Sequence, residues 1–442
     1  MDPIDTLISP RWLVPVEPHG VALENYSVAV SDGRIVAVLP KETALQRFSP
    51  AQTIELPQHA LMPGLINLHT HASMTLMRGL ADDLSLMRWL KEHIWPAEAR
   101  HVSPEFVYDG TLIACAEMLR GGVTCMNDMY FFPEAAARAV SDSGMRATIG
   151  IIAIEFPTAY ASDPDDYIAK GLSTRDAFKG NPLIGFSMAP HAPYTVSDRT
   201  FEKIVTIAEE LDLPVHLHLH ETLDEIRESV AAHGHRPLER IRRLGLLGPR
   251  LIAVHAVHLQ PDEIDMLALH GCSVAHCPSS NLKLASGFAP VTALLAKNVN
   301  LGLGTDGAAS NNRLDMFQEM RTAALLAKAV SNDPEAMPGA QAIHAATLGG
   351  AKALGLDAEI GSIVPGKSAD LTAVRLAGPE LSPCFDPISH LVYAAGRENV
   401  THVWVAGSLL VSERQFLTLD EADLDNRASL WQNQLALETK AY

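Results

Sequence analysis

The sequence is short of basic residues and has no long apolar run. It contains 34 Lys and Arg against 52 Asp and Glu in 442 residues, a formal net charge of -18. So acidic a chain binds polyanions poorly, which argues against nucleic acid or an anionic membrane as partner and favours a small-molecule substrate. No uncharged apolar run reaches the roughly 20 residues of a membrane-spanning helix. The acidic N-terminal stretch also lacks the pattern of a signal peptide, so we expect a cytoplasmic protein.

Cysteine is also scarce, and no Cys-x-x-Cys pair occurs among the five residues Cys115, Cys125, Cys272, Cys277 and Cys384. An odd number of scattered cysteines is typical of reduced, buried thiols and not of a disulfide framework. Cys277 lies near the metal-type residues described below and is a possible ligand, although four better candidates are present there.

The middle of the sequence alternates apolar runs with helical stretches. Eight runs have the pattern of strands, namely residues 61–71, 122–128, 146–154, 183–190, 214–221, 250–256, 272–277 and 299–306. Helical segments follow them, such as 197–211, 262–270 and 314–330. Near-continuous apolar strands separated by helices indicate a parallel sheet covered on both faces. Eight such units predict an α/β fold of the TIM-type (β/α)8 barrel class.

The two ends of the chain have a different pattern, of short strands and turns. Residues 26–30 and 34–38 flank Ser31-Asp32-Gly33, a hairpin signal, and residues 370–374 and 400–407 also have strand patterns. Each end alone is short for a domain. We therefore predict that residues 1–58 and 363–442 form one small composite β-sandwich domain, and that residues 59–362 form a metal-dependent catalytic barrel.

Histidine and aspartate, which are common metal ligands, lie at the ends of several predicted barrel strands. Barrel enzymes have their active sites at these strand ends. His69 and His71 close the first strand, and their i, i+2 spacing points both side chains the same way. His255 and Asp306 close two later strands. Imidazoles with a carboxylate suit zinc, leave a position for water and favour hydrolysis. The fifth strand offers three alternating histidines, among which periodicity does not choose: His216, His218 and His220.

With these residues the sequence resembles the amidohydrolase superfamily. PGLINLHTH (63–71) is similar to that superfamily's first barrel strand, and GKSADL (366–371) is similar to its return into the β-sandwich. Within the superfamily the sequence most resembles the 5′-methylthioadenosine/S-adenosylhomocysteine deaminases. Six segments carry this resemblance: MRGLADD (77–83), WPAE (95–98), PHAPY (190–194), HLHE (218–221), SSNLKL (279–284) and GTDGAASNN (304–312).

The resemblance implies a single metal per subunit, zinc with iron or manganese as alternatives. It selects His218 from the three histidines, so that the ligands are His69, His71, His218 and Asp306. Two-metal members of the superfamily carry a bridging lysine on the fourth strand, and residues 183–191 contain none. His216 is then expected to be a buried, hydrogen-bonded barrel residue, and His220 to line the site without touching the metal.

The resemblance also implies the catalytic roles. Glu221 would be the general acid at the purine ring nitrogen N1, and His255 would orient the nucleophile. Asp306 would take a proton from water and return it to the leaving ammonia. From the residues alone, the alternative for Glu221 is an exposed carboxylate at a helix start, and the alternative for His255 is a core histidine.

Two further residues match substrate-binding positions of the family, so that the implied substrate contacts are Glu98, His191, Glu221 and Asp306. A carboxylate at position 98 suits the two ribose hydroxyls, which both donate. His191 would contact the ribose or the purine N3. The alternative for Glu98 is one charge among others in a solvated loop.

One departure from the family pattern concerns the residues that would bind the 5′ substituent of the substrate. Members that accept S-adenosylhomocysteine carry two arginines after the third barrel strand, and residues 150–174 here contain no arginine. The loop after the first strand offers thioether and aromatic surface instead: Met74, Met77, Met87, Trp89 and Trp95. We therefore expect 5′-methylthioadenosine as substrate, with S-adenosylhomocysteine used weakly or not at all.

Two other functions remain open at this stage. A related amidohydrolase acting on guanine, 8-oxoguanine or a chloro-triazine would have no ribose partner, which Glu98 and His191 argue against. A non-catalytic barrel would have lost metal ligands, and none is missing. The family resemblance also implies a homodimer or homotetramer.

Overall fold

The computed structural model describes residues 1–439 of the chain. They form two compact units. One unit comprises Met1–Asn67, Glu117–Cys125 and Asp315–Thr418, and the other comprises Leu68–Ala116, Met126–Leu314 and the segment from Leu419 onward. All the predicted site residues belong to the second unit.

The described residues contain the strands β1 (Asp2–Leu13), β2 (Leu23–Glu24), β3 (Tyr26–Ser31), β4 (Arg34–Pro40), β5 (Phe48–Pro63), β6 (Leu65–Thr70), β7 (Val123–Asp128), β8 (Arg146–Ala153), β9 (Ile184–Pro190), β10 (Val215–Leu219), β11 (Leu251–His255), β12 (Ser273–His276), β13 (Asn300–Leu303), β14 (Leu371–Arg375), β15 (Val400–Val405), β16 (Ser408–Ser412) and β17 (Gln415–Phe416).

The helices are α1 (Lys41–Arg47), α2 (Leu86–Trp89), α3 (Trp95–His101), α4 (Pro104–Arg120), α5 (Pro133–Ser143), α6 (Pro164–Phe178), α7 (Asp198–Leu211), α8 (Leu223–His233), α9 (Pro237–Arg243), α10 (Pro261–Leu269), α11 (Pro278–Lys283), α12 (Val291–Ala296), α13 (Ala308–Asn311), α14 (Met316–Ser331), α15 (Gly339–His344), α16 (Gly350–Ala353), α17 (Pro387–Tyr393) and α18 (Glu421–Thr439). Short 3₁₀ turns span Ala72–Met77, Pro379–Leu381 and Arg397–Asn399, and π-helical turns span Leu90–Ile94 and Ala345–Gly349.

Strands β6 to β13 form an eight-stranded sheet in which neighbours in sequence are neighbours in space. The sheet is a nearly closed parallel barrel, so the predicted fold class is confirmed. The backbone N–H of Asp306, just after β13, donates to the carbonyl oxygen of His69 in β6 at 2.9 Å. This bond brings the carboxyl end of the last strand beside that of the first, and with it the ligands that both carry.

The prediction of the first barrel strand was wrong at its start. Residues 61–63, assigned to it from the sequence, are the end of β5 and pair with β14 in the other sheet. Gly64 separates β5 from β6. A Cβ at Gly64 would lie 2.0 Å from Thr124 Oγ1, so only glycine allows the chain to leave one sheet and enter the next here.

Strands from both chain ends form one mixed sheet, in the order β17-β16-β15-β14-β5-β1-β3-β4, with β2 on β1. β1 and β5 run parallel and the other pairs are antiparallel. The predicted hairpin is confirmed as β3–β4, and its turn residues Asp32 and Gly33 have φ values of 51° and 73°. Buried apolar side chains from both ends, such as Ile8, Leu13, Leu371 and Trp404, pack in its core.

Capping residues determine where helices of the barrel begin. The hydroxyl of Ser197 accepts from the backbone N–H of Thr200, so α7 begins at Asp198, one residue after the predicted start. No helix in the described part of the chain is both long and apolar enough to cross a membrane.

Candidate metal and substrate site

The four predicted metal ligands meet at the carboxyl end of the barrel. One ligand atom from each of His69, His71, His218 and Asp306 lies within 4.8 Å of the others. His69 and His218 belong to β6 and β10, His71 follows β6, and Asp306 follows β13. The Nε2 atoms of His69 and His71 are 3.2 Å and 3.3 Å from Asp306 Oδ1.

Hydrogen bonds direct the Nε2 atom of each imidazole into this group. His71 Nδ1 lies 2.6 Å from the carbonyl oxygen of Met129, and His218 Nδ1 lies 2.7 Å from that of His191. His69 Nδ1 lies 2.9 Å from His216 Nε2, so His216 is the buried, hydrogen-bonded residue that was predicted. His69 Nε2 is buried and faces Asp306 Oδ1 within the group. Three oriented Nε2 atoms and a carboxylate oxygen fit a divalent metal in their midst.

Two serine hydroxyls hold the second oxygen of Asp306. Ser280 Oγ and Ser310 Oγ donate to Oδ2 at 2.7 Å and 2.8 Å, and the backbone N–H of Gly307 donates to Oδ1 at 2.7 Å. Asp306 itself has a φ of 61°, a left-handed conformation that is costly for a residue with a Cβ and is common at active sites. The sequence motifs contained both serines, but their pattern gave no sign of which atom they contact.

Glu221 and His255 lie side by side in the same cavity. Glu221 Oε2 is 3.8 Å from His255 Nε2, and both side chains are buried. Burial raises the pKa of Glu221, which favours the protonated form that a general acid needs. His255 Nδ1 lies 2.9 Å from Asn281 Oδ1, and the residue has a φ of 69°. The structure therefore places Glu221 inside the cavity and not on an exposed helix start.

Glu98 and His191 complete the set of predicted residues around the cavity. Glu98 lies on α3 and accepts from the hydroxyl of Tyr130 at 2.7 Å. Burial raises the pKa of Glu98 to about 7, against the lowering effect of the Tyr130 hydrogen bond. His191 follows β9, and its Nδ1 is 3.0 Å from the hydroxyl of Thr195. Nothing in the sequence had indicated Tyr130.

These residues line one cavity of about 340 Å³. Its metal end is formed by His71, His218, Glu221, His255 and Asp306. Its other walls are largely apolar and aromatic, and include Met74, Trp89, Trp95, Ile152, Ile154, Phe156, Pro157 and Tyr160. Of the predicted thioether and aromatic residues, Met77 is buried outside this lining and Met87 lines a neighbouring chamber. His220 is also outside the lining, and its Nε2 accepts from the backbone N–H of Leu238.

No lysine or arginine is among the described residues that line this cavity. Arg146 begins β8 and donates to the carbonyl oxygen of Pro182. Lys170 on α6 donates to Asp166 and to the carbonyl oxygen of Tyr160, while Arg175 pairs with Asp176. The three basic residues considered from the sequence, Arg146, Lys170 and Arg175, therefore have other partners.

Comparisons with known proteins agree with this geometry. A model of the amidohydrolase family matches residues 60–410. The chain belongs to the amidohydrolase family. It is 48% identical over 430 residues to the 5-methylthioadenosine/S-adenosylhomocysteine deaminase of Saccharophagus degradans, with 97% of this chain and 96% of that protein covered. It is 47% identical to the protein of the same name from Teredinibacter turnerae, with 98% of each covered.

Comparisons with solved structures agree with the fold. A crystal structure of an adenosine deaminase from Xanthomonas campestris with bound zinc superposes with a TM-score of 0.98, at 53% identity and 99% coverage of each chain. Atrazine chlorohydrolase from Arthrobacter aurescens shares the fold, with a TM-score of 0.89, 23% identity and coverage of 97% of this chain and 100% of that one. The predicted enzyme class, a metal-dependent hydrolytic deaminase, is confirmed. The four residues form a group whose geometry could hold a divalent metal.

Proposed function

We propose that this amidohydrolase is a zinc-dependent deaminase that converts 5′-methylthioadenosine to 5′-methylthioinosine and ammonia. S-adenosylhomocysteine is a weak substrate or none. The observation that carries this proposal is a single cavity with the metal group and Glu221 at one end and apolar walls without a basic residue at the other. In a purine nucleoside with a neutral thioether tail, the purine matches the end with the metal group and the tail matches the apolar end.

In the proposed reaction the metal, when bound, acidifies a water and so supplies a nucleophile near neutral pH. Glu221 gives a proton to N1 of the adenine, which makes C6 electrophilic. The water oxygen bonds to C6 as Asp306 takes one of its protons. His255, which Asn281 fixes at Nδ1, orients the attack with its other nitrogen.

Collapse of the tetrahedral intermediate restores both carboxyl groups. Asp306 gives its proton to the amino nitrogen, the C6–N6 bond breaks, and ammonia leaves. The remaining hydroxyl proton returns to Glu221, and His255 Nε2, 3.8 Å from Glu221 Oε2, lies beside that path. The N1 proton stays on the product, so the reaction consumes one water and leaves the enzyme unchanged.

Substrate orientation is assigned to Glu98 and His191. The carboxylate of Glu98, anchored by Tyr130, accepts from the ribose hydroxyls. His191, anchored by Thr195, contacts the ribose or the purine edge. The apolar residues Ile152, Ile154 and Phe156 then face the 5′ substituent.

The test is a comparison of initial rates on 5′-methylthioadenosine, S-adenosylhomocysteine, adenosine and guanine. We expect the highest kcat/KM on 5′-methylthioadenosine. We also expect activity to disappear after chelation and to return most fully with zinc rather than iron or manganese. Equal use of S-adenosylhomocysteine would contradict the substrate assignment, and activity on guanine alone would contradict the nucleoside assignment.

A further inference from the structure

A second chamber adjoins the substrate cavity and shares three aromatic walls with it. Trp95, Phe156 and Tyr194 line both spaces. The outer chamber has a volume of about 540 Å³. The ring centroids of Trp95 and Phe156 are 6.1 Å apart in an edge-to-face arrangement, which is direct aromatic contact.

In the Trp95–Phe156 contact, Trp95 is close in the chain to Glu98, the residue proposed to bind the ribose. Trp95 lies on α3, three residues before Glu98, and therefore on the same helix face. Phe156 follows β8 in a loop, after Ile152 and Ile154, whose side chains line the cavity. A nucleoside held at C6 by the metal end and at its ribose by Glu98 directs its 5′ substituent toward this contact.

We infer that the Trp95–Phe156 pair is a partition that limits the length of the 5′ substituent, with Phe156 as the specificity-determining residue. This inference rests on the proposed function. The partition leaves room for a short thioether, and a longer tail must displace Phe156 to enter the outer chamber. Of the two residues, Phe156 is the one that can move, because 40% of it is exposed and it lies in a loop. Trp95 is held in a helix.

The walls of the outer chamber decide which probe is suitable. Met87, Pro193 and Val196 provide apolar surface there, whereas Glu155 and Glu228 are acidic. Arg240 is already bound to Asp198 and to the carbonyl oxygens of Pro193 and Val196. An uncharged alkyl tail therefore tests length without adding repulsion between charges.

The experiment compares 5′-methylthioadenosine with 5′-hexylthioadenosine in the wild type, Phe156→Ala and the control Phe131→Ala. Phe131 lines the substrate cavity but not the outer chamber, so its truncation enlarges the cavity without opening the partition. We expect kcat/KM of the wild type to fall by at least about tenfold from the short to the long tail. The ratio should approach one in Phe156→Ala and remain as in the wild type in Phe131→Ala.

An unchanged ratio in Phe156→Ala, or a wild type that accepts both tails equally, would overturn the partition. Phe156→Trp should deepen the discrimination, and Phe156→Leu provides a milder opening if the alanine variant folds poorly. Adenosine, whose 5′ hydroxyl carries no alkylthio tail, measures the deaminase activity of each variant apart from tail length. A wild type inactive on adenosine and on 5′-methylthioadenosine would instead contradict the proposed function itself.

Discussion

The two ends of the substrate cavity are built in different ways. At the metal end, His69 and His218 lie within barrel strands, and hydrogen bonds fix their Nδ1 atoms. At the far end, Phe156, Pro157 and Tyr160 come from a loop after β8 and make mostly apolar contacts. In the proposed function the chemistry therefore depends on strands held by the sheet, and the choice of substrate depends on a loop that can change without disturbing them. Substitutions at the two ends should therefore change different kinetic parameters.

The largest effect should follow from a change at the metal end. In the proposed mechanism Asp306 is a charged metal ligand and takes the proton of water, so we expect Asp306→Asn to lower kcat on the order of 10⁴-fold. Steady-state kinetics and metal content per subunit measure the effect. The exposed Glu92→Gln is the control, since Glu92 only pairs with Arg88. An Asp306→Asn enzyme with a tenth of the normal rate would contradict the assignment of this end.

Glu221→Gln separates proton transfer from metal binding. The amide has no acidic proton for the purine N1, and we expect kcat to fall by about 10³-fold with KM and metal content nearly unchanged. The exposed Glu228→Gln on the following helix is the matched control. If KM rose while kcat was kept, Glu221 would be a binding residue only.

The contrast between the two ends also explains what the sequence could predict. His69, His71 and Asp306 stand at the ends of apolar strands, so strand periodicity and barrel geometry were enough to group them. The choice of His218 over its neighbours needed the family resemblance, because His216, His218 and His220 alternate along the predicted fifth strand. Its Nδ1 contact with the carbonyl oxygen of His191 is a long-range feature that no local pattern contains.

Tertiary packing decided the features that could not be predicted. Tyr130 reaches Glu98 from a different segment of the chain, and Ser280 reaches Asp306 across 26 residues. The early start assigned to the first barrel strand came from an apolar run that is continuous through residues 61–66, although Gly64 divides it between two sheets. An apolar run indicates that a segment is buried, but it does not indicate to which sheet the segment belongs.

His216 offers a way to weaken metal binding without touching a ligand. His216→Leu removes the acceptor for His69 Nδ1 and should reduce metal affinity by about 10- to 100-fold. His216→Gln retains an acceptor oxygen at similar reach and should recover most of the loss. Competition with a chelator measures the affinity directly. Equal affinities of the leucine variant and the wild type would show that His216 only fills space.

Glu98 is assigned to the ribose, which connects the purine to the 5′ substituent, and it should affect KM in a pH-dependent way. Its pKa is raised to about 7, so the carboxyl group is protonated below that pH and loses acceptor capacity for the ribose hydroxyls. We therefore expect KM to rise as pH falls through about 7. Tyr130→Phe removes a hydrogen bond that lowers this pKa, so the midpoint should move to higher pH. Glu98→Gln should raise KM by about tenfold and make it independent of pH over this range, whereas a pH profile like that of the wild type would contradict the role.

The smallest effect should come from placing a positive charge at the apolar end. Ala159 lines the cavity and is exposed, so an arginine there can reach the tail of the substrate without burying its charge unpaired. We expect Ala159→Arg to raise kcat/KM on S-adenosylhomocysteine by about threefold to tenfold relative to 5′-methylthioadenosine, because one solvent-exposed charged hydrogen bond with the carboxylate is formed. Ala159→Gln has similar reach without charge and should leave the ratio unchanged. The gain should shrink at high salt, because an exposed ion pair is screened. A gain that salt does not reduce, or one that the glutamine variant shares, would mean that bulk and not charge at this end selects the tail.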